Sequence, residues 1–193
     1  MKRTHHQIAI FVDYENVKIS EKGSFCHPDS ILKAIYDEIQ NIGQIRLVKV
    51  YLAMGLEDNP KPLNPGQIFN LYKSGADPIP VPSFKTYEGQ KPKNIADSVM
   101  ICDIMEALCL HPQIDIFCLA TGDKDFIPIV RRLRNYGKEI ILFHRGNYSR
   151  HLIDEISLIQ CSTDVPSKCI NLDTLLGTNT FDSKAKGGEK NGK

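Results

Sequence analysis

The sequence has no tryptophan, almost no net charge and no long apolar run. Its 193 residues contain 24 Lys and Arg against 23 Asp and Glu, so the formal net charge is only +1. Any basic surface must therefore be local. No run approaches the roughly 18 apolar residues of a membrane helix. The apolar run near the N-terminus is also shorter than a signal-peptide core of about 7–15 residues. We therefore expect a cytoplasmic protein without a membrane partner.

Motifs for zinc binding, thiol redox chemistry and nucleotide triphosphates are also missing. The six cysteines include no CxxC pair and no Cys/His pairing at zinc spacing. We interpret them as reduced thiols in the core or near the surface, because free cysteine behaves as a small hydrophobe. The absence of a Walker loop argues against an NTPase. The hydrophobic fraction of 41% is that of an ordinary globular domain.

Short apolar runs alternate with helical patterns along the chain. Strands are predicted at 8–12, 45–53, 114–120 and 139–143, with an extended segment at 76–84 and a last short strand at 157–160. Helices are predicted at 27–43, 67–75, 95–110, 147–156 and from the TGDKD turn to about residue 136. This order predicts an α/β fold, a three-layer α/β/α sandwich around a mainly parallel sheet.

The domain is predicted to span residues 1–165, followed by a C-terminal extension at 166–193. The final stretch, 182–193, is rich in Lys and Gly and poor in apolar residues, so we expect it to be disordered.

Two of the clearest strands end in acidic residues. The run IAIFV leads into Asp13, and IDIFCLATG leads into Asp123 and Asp125. Ligands of parallel sheets bind at the carboxyl ends of the strands. If the two strands are parallel neighbours, these carboxylates lie on one edge of the sheet.

A third acid comes from the helix ADSVMICDIMEAL. At 100° per residue, Met100, Ile104 and Leu108 fall within about 60° of Asp97, which places Asp97 on the apolar stripe. An acid that points inward is costly unless something compensates its charge. Mg²⁺ would do so, because it binds a few carboxylates, keeps water ligands and bridges to phosphate oxygens. Asp103 lies about 120° away from Asp97 on the same helix and is the least certain of these acids.

Each of these residues also has a local structural explanation. Asp125 suits a helix N-cap, Asp97 suits the helix dipole, and Asp13 suits a turn. Asn16 could cap a helix or form a turn, and Asp103 could pair with a buried base. No single local explanation covers the three separate groups of acids.

Three blocks of the sequence resemble the motifs of the NYN domain, in its LabA-like branch. They are FVDYEN, KNIADSVMICDIMEAL and LATGDKDFIPIVRRLRNYGKEIILF, and the resemblance spans about residues 7–160. This family belongs to the PIN-like nucleases. The resemblance implies a PIN-like α/β/α sandwich and a cluster of aspartates that binds Mg²⁺ or Mn²⁺ for the cleavage of RNA phosphodiesters.

The resemblance also implies roles for individual residues. Asp13, Asp97, Asp123 and Asp125 match the family's metal-binding acids, and Asn16 joins them in the catalytic set. Asp103 matches the second acid of the motif helix. Thr121 stands where the family has a small hydroxyl residue, which suits a supporting hydrogen bond. Lys124 departs from the family, which more often has a small or polar residue there.

A nuclease also needs positive charge for the phosphate backbone. The candidates for RNA binding flank the acidic motifs and are Lys91, Lys93, Lys124, Arg145 and Arg150. Three further basic residues, Arg131, Arg132 and Arg134, lie on the helix after GDKDF. The candidates for base stacking are Tyr14, Phe84 and Tyr87, although packing is the commoner role of such rings.

The sequence leaves three functional hypotheses. The first is a Mg²⁺- or Mn²⁺-dependent endoribonuclease with RNA as its substrate, and we also consider a homodimer. The second is a catalytically weak RNA-binding or regulatory protein that acts through partners. The third is a phosphotransferase or phosphatase of another α/β type. A phosphoaspartate enzyme would need a second aspartate two residues after the first, in a DxD motif at the end of the first strand. Here Asp13 is followed by Tyr14 and Glu15. The full set of acids favours the ribonuclease.

Overall fold

The computed structural model of the chain describes residues 6–54, 64–84, 93–158 and 167–177. The strands in these ranges are β1 (His6–Asp13), β2 (Gly43–Met54), β3 (Asp77–Phe84), β4 (Lys93–Asn94), β5 (Ile116–Ala120), β6 (Glu139–His144) and β7 (Lys168–Asn171). The helices are α1 (Tyr14–Val17), α2 (Pro28–Ile39), α3 (Pro65–Lys73), α4 (Ala96–Leu110), α5 (Ile127–Asn135), α6 (Arg150–Ser157) and α7 (Leu172–Leu175). A 3-10 turn, Lys124–Phe126, precedes α5. None of the helices described has the length and apolar character needed to cross a membrane.

The strands form one sheet in the order β4-β3-β2-β1-β5-β6-β7. Strands β1, β2, β3, β5, β6 and β7 run parallel, and β4 pairs antiparallel with β3 at one edge. Helices cover both faces, so the predicted three-layer sandwich with a mainly parallel sheet is confirmed. Strand β1 lies between β2 and β5. The first and third motifs therefore end side by side at the same edge.

The two faces of β1 pack into two separate cores. Ala9 and Phe11 face the core that contains α4, α5 and α6, where Phe11 stacks on Phe117 with ring centroids 6.2 Å apart. Ile8, Ile10 and Val12 face the core that contains α2. Because side chains alternate along a strand, Asp13 follows Phe11 on the α4 side. The apolar pattern of β1 thus aims its terminal carboxylate at the motif helix.

The second helix ends earlier than the sequence pattern predicts. The predicted helix 27–43 is observed as α2, Pro28–Ile39, and no side chain caps its N-terminus. Gly43, predicted to end this helix, instead begins β2 opposite His6. A Cβ at Gly43 would collide with the backbone of His6. The glycine is explained by this close approach of two strands, which the helical pattern could not reveal.

The C-terminal part of the domain also differs from the prediction. Ser157, predicted to begin a strand, is the last residue of α6, and its hydroxyl donates to the Ile153 carbonyl at 3.0 Å. Residues 159 and 160 of that predicted strand lie outside the described residues. The sheet continues past the predicted boundary at residue 165, because β7 pairs with β6. The predicted disordered stretch, 182–193, also lies outside the described residues.

Candidate functional site

Two aspartates from separate motifs meet at the carboxyl edge of the sheet. Asp13, only 4% exposed, ends β1, and half-buried Asp97 lies in the first turn of α4. The two carboxyl groups lie close enough for each to influence the pKa of the other. Burial, followed by the charge of Asp97, raises the pKa of Asp13 to about 8. Burial also raises the pKa of Asp97. At neutral pH the pair therefore holds a proton that two isolated carboxyls would have lost.

The turn after β5 adds two more acids. Asp123 is partly buried and Asp125 is exposed. Asp123 caps the 3-10 turn, since its Oδ1 accepts from the Asp125 backbone N–H at 3.0 Å. The capping role that the sequence suggested for Asp125 therefore belongs to Asp123. The charges of Asp123 and Asp125 contribute to the raised pKa of Asp97. We refer to Asp13, Asp97, Asp123 and Asp125 as the acid cluster.

Asn16 joins the two turns that carry these acids. Its side-chain oxygen accepts from the Gly122 backbone N–H at 2.7 Å. Its own backbone N–H donates to the Asp13 carboxylate at 3.4 Å, so Asp13 caps α1. Asn16 thus fixes the turn after β1 to the turn after β5. Nearby, the fully buried Thr121 accepts from the Asp123 backbone N–H at 3.2 Å through its hydroxyl.

Asp103 lies on the same helix as Asp97 but has other partners. The Tyr51 hydroxyl donates to Asp103 at 2.7 Å, and the Lys49 ammonium lies 3.1 Å from the same carboxylate oxygen. Tyr51 is fully buried and stands opposite Asp13 in the β1–β2 register. Asp103 therefore connects α4 to β2, and the charge of Lys49 neutralises its carboxylate. Pairing with a base is one of the two roles that the sequence left open for Asp103.

Comparison with known proteins agrees with this architecture. A model of the NYN domain matches residues 7–159. The chain belongs to the NYN domain family. A crystal structure of a Vibrio parahaemolyticus protein of unknown function matches with a TM-score of 0.61 and 22% identity, over 91% of this chain and 98% of that one. A likeness at this identity shows the fold alone. A search of curated proteins finds no match.

One predicted RNA-binding residue of this NYN domain is buried. Arg145 is 0% exposed, and its Nε donates to Asp173 at 2.8 Å. Its Nη1 donates to the Lys18 carbonyl at 2.7 Å. The prediction that Arg145 contacts RNA is wrong, because this guanidinium links β6 to α7 and to the end of α1. Its partner, Asp173, lies beyond the boundary predicted for the domain.

The remaining basic candidates differ in their surroundings. Lys124, in the 3-10 turn, and Arg150, at the start of α6, are exposed. Lys91 lies outside the described residues, and only the backbone of Lys93, in β4, is described. On α5, Arg131 and Arg134 each lie 2.9 Å from the buried Glu155 of α6. Lys124 and Arg150 are thus the described basic candidates for substrate contact near the acid cluster.

The aromatic candidates from the sequence do not supply a stacking surface in the part of the chain that the structure describes. Tyr14 is buried, and its hydroxyl donates to the Cys26 carbonyl at 3.1 Å. The ring of Phe84 and all of Tyr87 lie outside what the structure describes. The sequence reasoning missed His144 and Tyr148, whose rings lie 4.3 Å apart at the same sheet edge. The available signal was that His144 ends a buried strand, as Asp13 does, and that Tyr148 follows it by four residues.

The chemistry of the acid cluster fits a hard divalent cation. Its side chains are carboxylates, which Mg²⁺ and Mn²⁺ prefer. Among the described residues, no Lys or Arg forms an ion pair with these acids, whereas Asp103 and Glu155 have such partners. In the same residues, no three His, Cys, Asp or Glu side chains are arranged to hold one ion together. Mg²⁺ does not need three, because it often binds one or two carboxylates together with water and phosphate.

Proposed function

We propose that this NYN domain is a Mg²⁺- or Mn²⁺-dependent endoribonuclease. One observation carries the proposal: Asp13 at the end of β1 and Asp97 in the first turn of α4, from motifs far apart in the sequence, place a buried and a half-buried carboxyl close enough to shift each other's pKa. Two like charges at such close range are unfavourable without a compensating cation. Membership of the NYN family supports nuclease chemistry at this edge.

The residues of the acid cluster have distinct parts in the proposed reaction. Asp13 and Asp97 would hold the metal ion, together with Asp123 and Asp125. When bound, such an ion lowers the pKa of water and stabilises the charge on a phosphate. Metal binding would favour the ionised form of Asp13, whose pKa is raised to about 8. Asn16 holds the two turns at a fixed separation through Gly122.

The charges around the site support a requirement for metal. The acid cluster repels a phosphodiester, because substrate and site are both negative. Lys124 and Arg150 are exposed on elements that begin at this edge, where they can contact phosphates on either side of the scissile one. The positive charge that they supply lies outside the cluster, so we assign the neutralisation of the scissile phosphate to the divalent ion.

The central experiment compares cleavage of labelled RNA and DNA with Mg²⁺, Mn²⁺ or EDTA. We expect cleavage of RNA only with a divalent ion. Asp13→Asn and Asp123→Asn should each lower the rate about 100-fold or more, because even changes beside a metal ligand cost about 10–100-fold. Asp154→Asn, a change at an exposed acid of α6, is the matched control. Cleavage in EDTA, or full activity in both variants, would contradict the proposal.

Thermal unfolding gives a readout that does not depend on catalysis. A ligand at 100 times its Kd stabilises the folded state by about 2.7 kcal/mol. Saturating Mn²⁺ should therefore raise the Tm of the wild type and of Asp154→Asn. The double variant Asp13→Asn/Asp97→Asn should show no such rise. An equal rise in all three proteins would mean that the ion binds elsewhere.

A second candidate is a catalytically weak RNA-binding or regulatory protein that acts through partners. It is favoured by the absence, among the described residues, of three donors arranged around one ion. RNA binding without cleavage, in either metal, would support this candidate. The LabA-like branch, a cytoplasmic location and a homodimer stay predictions of the sequence.

A further inference from the structure

The loop between β6 and α6, residues 145–149, lies directly on the turn that carries Asp123. The Ser149 backbone N–H donates to the Gly122 carbonyl at 2.8 Å. A Cβ at Gly122 would lie 2.9 Å from the Cα and Cβ of Tyr148 and from the carbonyl oxygen of Asn147. Only glycine permits this approach. The loop and the acidic turn are therefore held in contact, which fixes Tyr148 beside the residue preceding Asp123.

The ring of Tyr148 rests on a buried histidine. The centroids of the His144 and Tyr148 rings lie 4.3 Å apart, with a tilt of 50°. His144 is only 7% exposed, and among the described residues no group hydrogen-bonds its Nδ1. Burial lowers the pKa of His144, so the imidazole is neutral at neutral pH. A neutral ring therefore supports Tyr148 from one side.

Tyr148 itself is partly exposed, and its neighbours suit a nucleotide. Asn147 and Arg150 are exposed on either side of it. An aromatic ring, an amide and a guanidinium are the groups with which proteins bind unpaired nucleotides: the ring stacks on the base, the amide reads its edge and the guanidinium contacts phosphate. The loop and the first residue of α6 thus offer this set of groups next to the acid cluster.

We propose that Tyr148 stacks on an unpaired base of the RNA, beside the phosphate held at the acid cluster, and that Arg150 contacts a neighbouring phosphate. This inference rests on the proposed ribonuclease function. It names the substrate class as single-stranded RNA, because the bases of an A-form duplex are already stacked on one another.

The test measures RNA affinity in an Asp123→Asn background, where cleavage is suppressed. Fluorescence anisotropy follows a labelled single-stranded oligoribonucleotide and the corresponding duplex. Adding Tyr148→Leu should weaken single-strand binding about 5- to 150-fold, the equivalent of about 1–3 kcal/mol for one stacked base. Adding Tyr148→Phe, which keeps the ring, should change it less than about twofold. Tyr136→Leu, at an exposed tyrosine after α5, is the matched control and should have no effect.

A second variant makes the contact visible. Because the chain has no tryptophan, Tyr148→Trp introduces a single tryptophan, whose emission can be excited selectively over that of the tyrosines. We expect single-stranded RNA to quench its emission, with little change on adding duplex. This measurement also covers the case in which Tyr148→Leu fails to fold, which circular dichroism would reveal.

The outcomes separate this proposal from the function on which it rests. If Tyr148→Leu binds single-stranded RNA as tightly as its parent, or Tyr148→Trp is not quenched, the stacking proposal is overturned, whether or not the wild type cleaves RNA. If the wild type binds RNA but does not cleave it, the proposed ribonuclease function is wrong. A loss of RNA affinity in Tyr148→Leu would then still support stacking. If the wild type neither binds nor cleaves RNA, both proposals fall.

Discussion

Two carboxylates on helix α4 have opposite surroundings. Asp103 accepts a hydrogen bond from Tyr51 at 2.7 Å and lies 3.1 Å from the ammonium of Lys49. Asp97, nearer the N-terminus, lies beside Asp13, and its pKa is raised by burial and by the charges of Asp123 and Asp125. One helix therefore carries an acid that the fold neutralises and an acid that the fold leaves among like charges.

The difference separates two uses of a buried acid. A carboxylate that only supports the fold receives donors, because an uncompensated buried charge costs several kcal/mol. Asp103 and Asp173 follow this rule, each with a basic partner. Asp13 and Asp123 of the acid cluster accept from backbone N–H groups, but among the described residues no Lys or Arg forms an ion pair with any member of the cluster. The partners of an acid, more than its burial, therefore indicate whether it supports the fold or binds a ligand.

The largest effect should come from removing the partner of the most deeply buried charge. Asp173→Ala leaves the guanidinium of Arg145 buried without its carboxylate, which typically costs about 3–5 kcal/mol. Urea denaturation of this variant should show a loss of stability in that range. Asp154→Ala, at an exposed acid, is the control and should change stability by less than about 0.5 kcal/mol. If Asp173→Ala lowered the free energy of unfolding only slightly, Asp173 would not be an acid that supports the fold by pairing with Arg145.

The second effect tests the neutralised acid of α4. Asp103→Ala leaves the buried Tyr51 hydroxyl without its acceptor, so we expect a loss of about 1–3 kcal/mol in urea denaturation. Adding Tyr51→Phe removes the unsatisfied donor and should recover part of that loss. If Asp103→Ala proved neutral in stability but abolished RNA cleavage, Asp103 would belong with the acid cluster instead.

The last effect has the opposite sign and concerns the acid cluster. In EDTA at pH 8, Asp13→Asn should raise the free energy of unfolding by about 1 kcal/mol or more, because it removes a carboxyl whose pKa the fold raises to about 8 and whose ionisation therefore costs stability. The same change should abolish metal-dependent cleavage. An acid that serves the fold cannot show this combination of greater stability and lost activity.

The pH dependence of the wild type follows from the same carboxyl. The folded pKa of Asp13, about 8, lies above the ordinary value of 3.8, so between these values the folded state binds more protons than the unfolded state. The stability from this group is complete below pH 3.8 and is lost as the pH rises through about 8. Urea denaturation in EDTA at several pH values should show this decline, and Asp13→Asn should flatten it. An unchanged slope would contradict the raised pKa.

The acid cluster could be located from the sequence because each signal is local. A buried strand that stops at Asp13 and a helical stripe that includes Asp97 need no knowledge of the fold. The parallel sheet then follows from the alternation of strands and helices. The extra strand β7 was missed because it follows the predicted domain boundary at residue 165.

The environment of each side chain could not be predicted in the same way. Arg145 follows a strand just as Asp13 does, yet it is buried because its partner Asp173 arrives from a distant helix. Tyr14 adjoins Asp13 but turns into the core beside Cys26. Tyr148 gains its place from the close approach to Gly122. Such contacts between distant segments leave no periodic trace in the sequence.

The position of β1 in the sheet has a consequence for biosynthesis. This strand is translated before the other strands, yet it lies in the middle of the sheet and needs β5 as a neighbour. Chains are synthesised at about 5–20 residues per second, so Asp97 and Asp123 leave the ribosome several seconds after Asp13. A nascent chain therefore has no acid cluster. The proposed ribonuclease would stay inert beside the messenger RNA that encodes it until most of the domain had been made.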